Sequence, residues 1–142
     1  MITVRKARSR DVVDLLSNLR VEDREELEAT GTDPRRAVWG SWRLSDYAQV
    51  VLVDERVAAI GGVAPVGNSG IADIWLLTTP AVEFVRTAFV KIARDELEFV
   101  HERFWRVQGF CYFRYTRALK FLRLLGFTVE DTRPFCRIWK ER

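Results

Sequence analysis

Few side chains in this sequence of 142 residues could do chemistry, and their spacing excludes more than it suggests. Cys111 and Cys136 sit in apolar runs without the Cys-x-x-Cys or Cys/His spacing of metal and redox sites, so both are expected as buried free thiols and no metal is expected. The single histidine, His101, closes a helical pattern beside Glu98 and Glu102, where a solvent-facing cation at a helix C-terminus is expected rather than a base. Charge is segregated. Glu22, Asp23, Glu25, Glu26 and Glu28 make an acidic helix, expected as a solvated face. Arg106, Arg114, Arg117, Lys120 and Arg123 form the opposite feature. Steps of three residues advance about 300° on a helix, so the last four wind over roughly half of its surface, a face suited to phosphates or to an acidic protein. Trp39 and Trp42 share one face of a short helix around Gly40-Ser41, as interface anchors or as core.

The composition bounds these options. Lys and Arg number 23 against 20 Asp and Glu, a net +3, so a polyanionic partner is not implied by charge alone and nucleic acid ranks behind protein. With 48% hydrophobic and 30% charged residues, the chain is expected to form a single domain over residues 1–142 and not to be disordered. Charges at Arg5, Lys6, Arg8 and Arg10 without an apolar run behind them exclude a signal peptide, and no run approaches the ~20 apolar residues of a membrane span. A cytosolic protein is expected.

The elements that must position these residues follow from periodicity. Ile2–Ala7 alternates as a strand. Ser9 offers an N-cap to a helix over Asp11–Arg20, the acidic helix Val21–Ala29 stops at Gly31, and Asp33-Pro34 opens the helix of Trp39 and Trp42. Tyr47–Val53 and Val57–Val63 read as an antiparallel hairpin around Asp54-Glu55-Arg56, with Gly61-Gly62 where packing leaves no room for a side chain or the strand bends. Ile71–Leu77 is a third strand. After Thr78-Thr79-Pro80 comes a helix from about Val82 to Val100, then a strand Phe104–Phe113, a helix Arg114–Leu125 ended by Gly126, and strands Phe127–Val129 and Phe135–Trp139. Ile71–Thr78 and Trp105–Phe110 should be parallel neighbours, because strand, helix and strand in this order make a βαβ unit. The expected class is α/β (α+β), a mixed sheet in the order β-α-α-β-β-β-α-β-α-β-β with helices on both faces.

At Arg117-Ala118-Leu119-Lys120-Phe121-Leu122-Arg123-Leu124-Leu125-Gly126-Phe127 the chain resembles the closing helix of GNAT-type N-acetyltransferases, roughly Asn-x-x-Ala-x-x-Phe-Tyr-x-x-x-Gly-Phe, and the element order is similar throughout. More narrowly, Ala59-Ile60-Gly61-Gly62, Asp73-Ile74-Trp75-Leu76-Leu77-Thr78-Thr79 and the ending at Phe127 resemble small GNAT-like internal virion or core proteins of short-tailed phages. The resemblance implies an acetyl-CoA pyrophosphate loop, Gln/Arg-x-x-Gly-x-Gly/Ala, at the start of the central helix. Its positions fall on Glu83, Arg86, Thr87 and Ala88, of which only Ala88 fits the pattern. The family's catalytic Tyr falls on Leu122, which has no proton to donate, and its Asn on Tyr115, which the resemblance leaves as a weak candidate for proton donation ahead of Tyr112 and Tyr47. Where active members of the family often cover the acceptor, this chain has the acidic helix from Glu22 to Glu28, which the resemblance implies would suit an amine.

Two functions follow as expectations. One is a GNAT-like scaffold without a cofactor, acting in virion assembly or on a host protein through Trp39, Trp42, Arg114, Arg117, Lys120 and Arg123, in the host cytosol or in the virion. The other is an acetyl-CoA-dependent N-acetyltransferase acting on an amine. Fold alone does not choose between them, because chemistry resides in the site.

Overall fold

Alternation and helical periodicity become seven strands and five α-helices in a computed structural model that describes residues 1–142. In chain order these are β1 (Ile2–Lys6), α1 (Ser9–Ser17), α2 (Val21–Ala29), α3 (Pro34–Leu44), β2 (Tyr47–Val53), β3 (Arg56–Pro65) and β4 (Ile71–Thr78), then a 3-10 segment over Pro80–Val85, α4 (Arg86–His101), β5 (Arg106–Tyr112), α5 (Thr116–Leu124), β6 (Thr128–Glu130) and β7 (Phe135–Glu141). Three separate helices precede β2, as the three helical patterns of this stretch require and one more than the expected element order counts; Gly31 at φ +80° and the Asp33-Pro34 step divide α2 from α3. The last helix starts at Thr116 rather than at Arg114: Tyr115, at φ −84° and ψ 66°, stands outside the helical region. The chain divides into two compact units, Met1–Ala64 with Trp75–Arg86, and Pro65–Ile74 with Thr87–Arg142, so that β4 contributes to both.

In the first unit the strand order is β1-β2-β3-β4. β1 pairs antiparallel with β2 from Ile2↔Val53 to Lys6↔Gln49, and β2 with β3 through a two-residue turn whose Asp54 and Glu55 both take positive φ, 48° and 68°. Such a turn matches the right-handed twist of the flanking strands. Val12, Leu15, Val38, Val50 and Ile60 are fully buried, and the partly buried Trp39, Trp42 and Trp75 pack against the cluster they belong to. The start of α1 is held by an acid, not by Ser9. Asp11 receives the Arg8 amide at 2.8 Å and the Arg5 guanidinium at 2.7 and 3.0 Å. Burial alone would raise the Asp11 pKa, but the Arg5 and Arg8 hydrogen bonds outweigh it and hold the carboxyl below its ordinary value.

In the second unit the order is β4-β5-β7-β6. β4 and β5 run parallel over Ile71↔Arg106 to Asp73↔Gln108, as the βαβ argument requires. β5 and β7 pair antiparallel from Arg106↔Glu141 to Tyr112↔Phe135, which sets the buried, free Cys111 and Cys136 opposite each other. Side chains alternate across this ladder. Val107, Cys111, Cys136 and Ile138 are buried, while Arg106, Gln108, Phe110, Tyr112, Phe135, Arg137 and Trp139 belong to the opposite face. Phe89 of α4 and Phe121 of α5 stack with centroids 5.6 Å apart. No helix in the chain is long and apolar enough to cross a membrane.

Candidate functional site

Thr79 organises the segment that follows β4. Its hydroxyl donates to the Val57 carbonyl at 2.7 Å and accepts the Ala81 amide at 3.2 Å, while its carbonyl accepts the Val82 amide at 3.2 Å. With Pro80 at the first helical position, these bonds start a 3-10 helix rather than an open loop. Bonding between residues three apart engages the amides of this segment. Arg86, at φ −54° and ψ −48°, carries the backbone straight into α4.

Glu83 lies in this turn, and the structure brings it together with Arg86. The Glu83 carboxylate receives Arg20 Nη1 at 2.9 Å and faces Arg86 Nε at 3.7 Å. Arg20 is well shielded, with its side chain 12% exposed, whereas Arg86 is 69% exposed. The charge of Glu83 is therefore compensated from the α1–α2 junction, and sequence spacing gave no signal of that partner. Thr87 is exposed and Ala88 half-buried at the start of α4 in the second unit.

A second contact from α2 reaches the end of β4. Asp23, one of the acids expected on a solvated face, is buried, and its Oδ2 accepts the Thr78 amide at 3.0 Å and the Thr78 hydroxyl at 2.6 Å. The Arg20 amide donates to the Thr78 carbonyl at 3.1 Å. Burial pushes the Asp23 carboxyl up to about 6, against the lowering effect of the Thr78 hydrogen bonds and of Arg20. The backbone polar groups of Thr78 are thus consumed inside the first unit.

His101 departs from its expected place. Instead of facing solvent as a cation, it is 6% exposed, with Nδ1 at 3.0 Å from the Phe104 carbonyl and Nε2 without a hydrogen-bond partner. Because a carbonyl only accepts, Nδ1 carries the proton. Desolvation lowers its pKa against the raising effect of the Phe104 hydrogen bond, and the charges of Lys140 and Arg142 lower it further. It lines a shallow groove of about 450 Å³ with Arg94, Leu97, Glu98, Glu102, Leu125, Lys140 and Arg142.

The remaining predicted residues are dispersed. Leu122 is half-buried in α5, and Tyr115, also half-buried, is its N-terminal flanking residue. Arg114, Arg117, Lys120 and Arg123 are all exposed, Arg114 stacking over the Phe113 ring at 5.5 Å. Arg106 is set apart from them on β5, over Trp139 at 5.2 Å. Trp39 and Trp42 are half-buried and meet edge to face at 5.7 Å, with Arg43 6.0 Å from the Trp39 ring centre. No three His, Cys, Asp or Glu side chains converge as metal ligands.

No family model and no curated protein matches the sequence. Solved structures match the fold over its whole length. A GNAT-family acetyltransferase from Streptococcus pneumoniae superposes with a TM-score of 0.68 at 14% identity, covering 100% of both chains. The PaiA N-acetyltransferase from Thermoplasma acidophilum, in complex with coenzyme A, gives 0.70 at 14% identity, over 100% of this chain and 99% of that one. The aminoglycoside acetyltransferase AAC(6')-Ib, also in complex with coenzyme A, gives 0.66 at 17% identity, over 100% and 95%. The chain therefore has the fold of GNAT-family acetyltransferases, with a mixed, mostly antiparallel set of strands.

Proposed function

We propose that this chain uses the GNAT fold as a scaffold for contacts with other macromolecules and does not transfer acetyl groups, the role that its resemblance to internal virion proteins of short-tailed phages implies. The observation that carries this reading is the segment from Pro80 to Ala88. A pyrophosphate at a helix start needs backbone amides without partners and no bulk over them. Here the amides before α4 lie in a 3-10 helix, Glu83 holds a carboxylate among them, and Arg86 stands where close approach requires glycine. Coenzyme A, which solved relatives of this fold hold, does not fit these residues. The position of a tyrosine general acid is an apolar Leu122, which neither donates nor accepts a proton.

Calorimetric titration with acetyl-CoA and with CoA tests the reading. No saturable binding is expected. A low-micromolar dissociation constant that Arg86→Ala abolishes would overturn it in favour of an acetyl-CoA-dependent N-acetyltransferase, with the Arg86 guanidinium taking the phosphates in place of a glycine loop.

The surface that acts is better sought in the exposed cations of α5 than in the tryptophan pair. Trp39 and Trp42 pack against the first unit's core, so Trp42→Ala removes packing as well as any contact. Arg117→Glu with Lys120→Glu should leave thermal stability within about 0.5 kcal/mol per site while impairing capture of an acidic partner. Unchanged assembly by the charge-reversed protein would remove this helix from the interface.

A further inference from the structure

The second unit carries an aromatic face that its own helices leave open. On the outer side of the β5–β7 ladder, Phe110 is 68% exposed, with Tyr112, Phe135 and Trp139 half-buried around it. Burying Phe110 would remove one of the largest exposed apolar surfaces of the unit from water, yet nothing in the unit covers it.

Arginines are interleaved with these rings. Arg106 lies over Trp139 at 5.2 Å, and Arg137 is opposite Phe110 in the ladder. Beyond the end of β5, Phe113 is flanked by the guanidinium groups of Arg133 at 4.7 Å and Arg114 at 5.5 Å, and it meets Tyr112 edge to face at 5.3 Å. Tyr112 in turn contacts Phe135 at 5.6 Å. The result is one continuous row, Trp139 and Arg106, Phe110 and Arg137, Tyr112 and Phe135, then Phe113 between two arginines. Successive side chains on one face of a strand are spaced by about 7 Å.

The charge of this region decides what fits it. From Arg103 to Val129 the sequence has six Lys or Arg and no Asp or Glu. Acids do approach the row at its margins: Glu141 lies 3.4 Å from Arg106, Asp131 lies 3.9 Å from Arg133, Glu130 is opposite Arg137 on β6, and Asp73 accepts from Gln108 at 3.1 Å. Arg114 and Arg137 nevertheless remain without an ion pair inside 4 Å, Arg137 opposite the exposed Phe110 and Arg114 beside the half-buried Phe113. A protein partner would bury the rings against apolar side chains and leave these cations unmatched unless it were acidic. A single strand of nucleic acid satisfies both features at once, because its bases stack on aromatic and guanidinium planes while its phosphates take the free arginines. A duplex hides its bases and would meet only the charges.

We propose that the outer face of β5 and β7 binds single-stranded nucleic acid, with Phe110, Phe113 and Tyr112 stacking bases, Arg114 and Arg137 holding phosphates, and Arg133 exchanging its 3.9 Å pair with Asp131 for a third. The inference gives a partner class to the surface-acting reading. It is tested separately from it, since acetyl-CoA calorimetry decides the fate of the cofactor site whatever the oligonucleotide does.

Fluorescence anisotropy of a labelled oligo-dT strand with the full chain provides the test, alongside a duplex of the same length and poly-glutamate as an acidic polypeptide. The strand should bind more tightly than either, with log K falling against log salt at a slope of about −2 for three phosphate contacts. Phe110→Ala should weaken single-strand binding roughly tenfold, the worth of one lost stack, with the circular dichroism melt unchanged. Arg137→Glu should weaken binding and flatten the salt slope. Failure to bind at low salt would overturn the proposal. So would binding that Phe110→Ala leaves intact, or duplex affinity equal to that for the strand, since both describe a plain polycation. Poly-glutamate binding more tightly than the strand would assign the face to an acidic protein and also overturn it.

Discussion

Gly62→Ala should destabilise the protein by about 2–4 kcal/mol in denaturant titration, although it adds a single methyl group. A Cβ at Gly62 would lie 2.6 Å from Trp75 Nε1, 2.8 Å from Trp75 Cε2 and 2.8 Å from Ser45 Oγ. Those atoms form a relay. The Trp75 indole donates to Ser45 Oγ at 2.7 Å, and Ser45 Oγ donates to the Ser41 carbonyl at 2.6 Å, so that β4 is tied across β3 to the last turn of α3. The methyl group enters the middle of the first bond. Trp75 packs against the core and cannot swing away without leaving a void, and rotating Ser45 breaks both bonds. Overpacking of about 1–3 kcal/mol adds to a lost hydrogen bond of about 1 kcal/mol. The neighbouring glycines set the scale. At Gly61 the nearest atoms are 3.4 Å away, ordinary contact, so Gly61→Ala should cost less than about 1 kcal/mol. At Gly40, inside α3, nothing lies within 4 Å, and Gly40→Ala should stabilise by about 0.5–1 kcal/mol through helix propensity. Equal losses at positions 61 and 62 would refute the packing argument.

That pair of glycines illustrates what a sequence makes legible. Gly61-Gly62 in a strand run announces a close approach, and only the fold assigns it to Gly62 and to Trp75. Signals that are local or periodic carried through: the hairpin turn at Asp54-Glu55, the parallel pairing of β4 with β5, and the buried thiols of Cys111 and Cys136. Helix boundaries shifted where a polar residue acted from an unexpected position, as Asp11 did for α1 in place of Ser9. What stayed hidden were partners far apart in sequence. Glu83 reads alone as a first-turn acid, because Arg20 is more than sixty residues away, and Asp23 reads as one more acid on a solvated helix, because Thr78 is 55 residues away. His101 is hidden from sequence reading for a related reason. The residues that desolvate a ring belong to the tertiary packing, and a short acidic context in sequence suggests water. The departure of Glu83 and Arg86 from the loop pattern of the resembling family is visible in residue types, whereas the 3-10 helix over Pro80–Val85 requires the hydroxyl of Thr79 to find the Val57 carbonyl.

The clamp between Asp23 and Thr78 should make the protein more stable as the pH is lowered from 7 towards 4, against the usual trend for a carboxylate held by hydrogen bonds. In the folded state Asp23 titrates near 6, above its ordinary 3.8. Between these values the folded chain binds more protons than the unfolded one, so stability falls as pH rises through the window and is lowest, for this group, above about 6. A difference of about two pKa units corresponds to roughly 3 kcal/mol. The physical cause is the burial of a carboxylate whose hydrogen bonds come from two neutral donors of one residue, with Arg20 contributing only charge at a distance. His101 works in the opposite sense: its lowered pKa costs stability as pH falls through the ordinary histidine range. Asp11 also opposes, but only as the pH falls below the ordinary 3.8 of its carboxyl, because its folded pKa is lowered. The comparison that isolates the clamp is therefore wild type against Asp23→Asn, in which the amide oxygen still accepts from Thr78 and neither His101 nor Asp11 has changed. Unfolding free energies measured by denaturant titration at several pH values should differ between the two proteins by an amount that changes by about 2–3 kcal/mol from pH 4 to pH 7, with Asn gaining relative to Asp as the pH rises. Asp23→Ala, which also deprives Thr78 of its acceptor, should be less stable than Asp23→Asn at every pH by about 1–3 kcal/mol. A constant difference between wild type and Asp23→Asn across the range would mean that Asp23 stays ionised down to its ordinary pKa, and that the end of β4 is held by the ion rather than in spite of it.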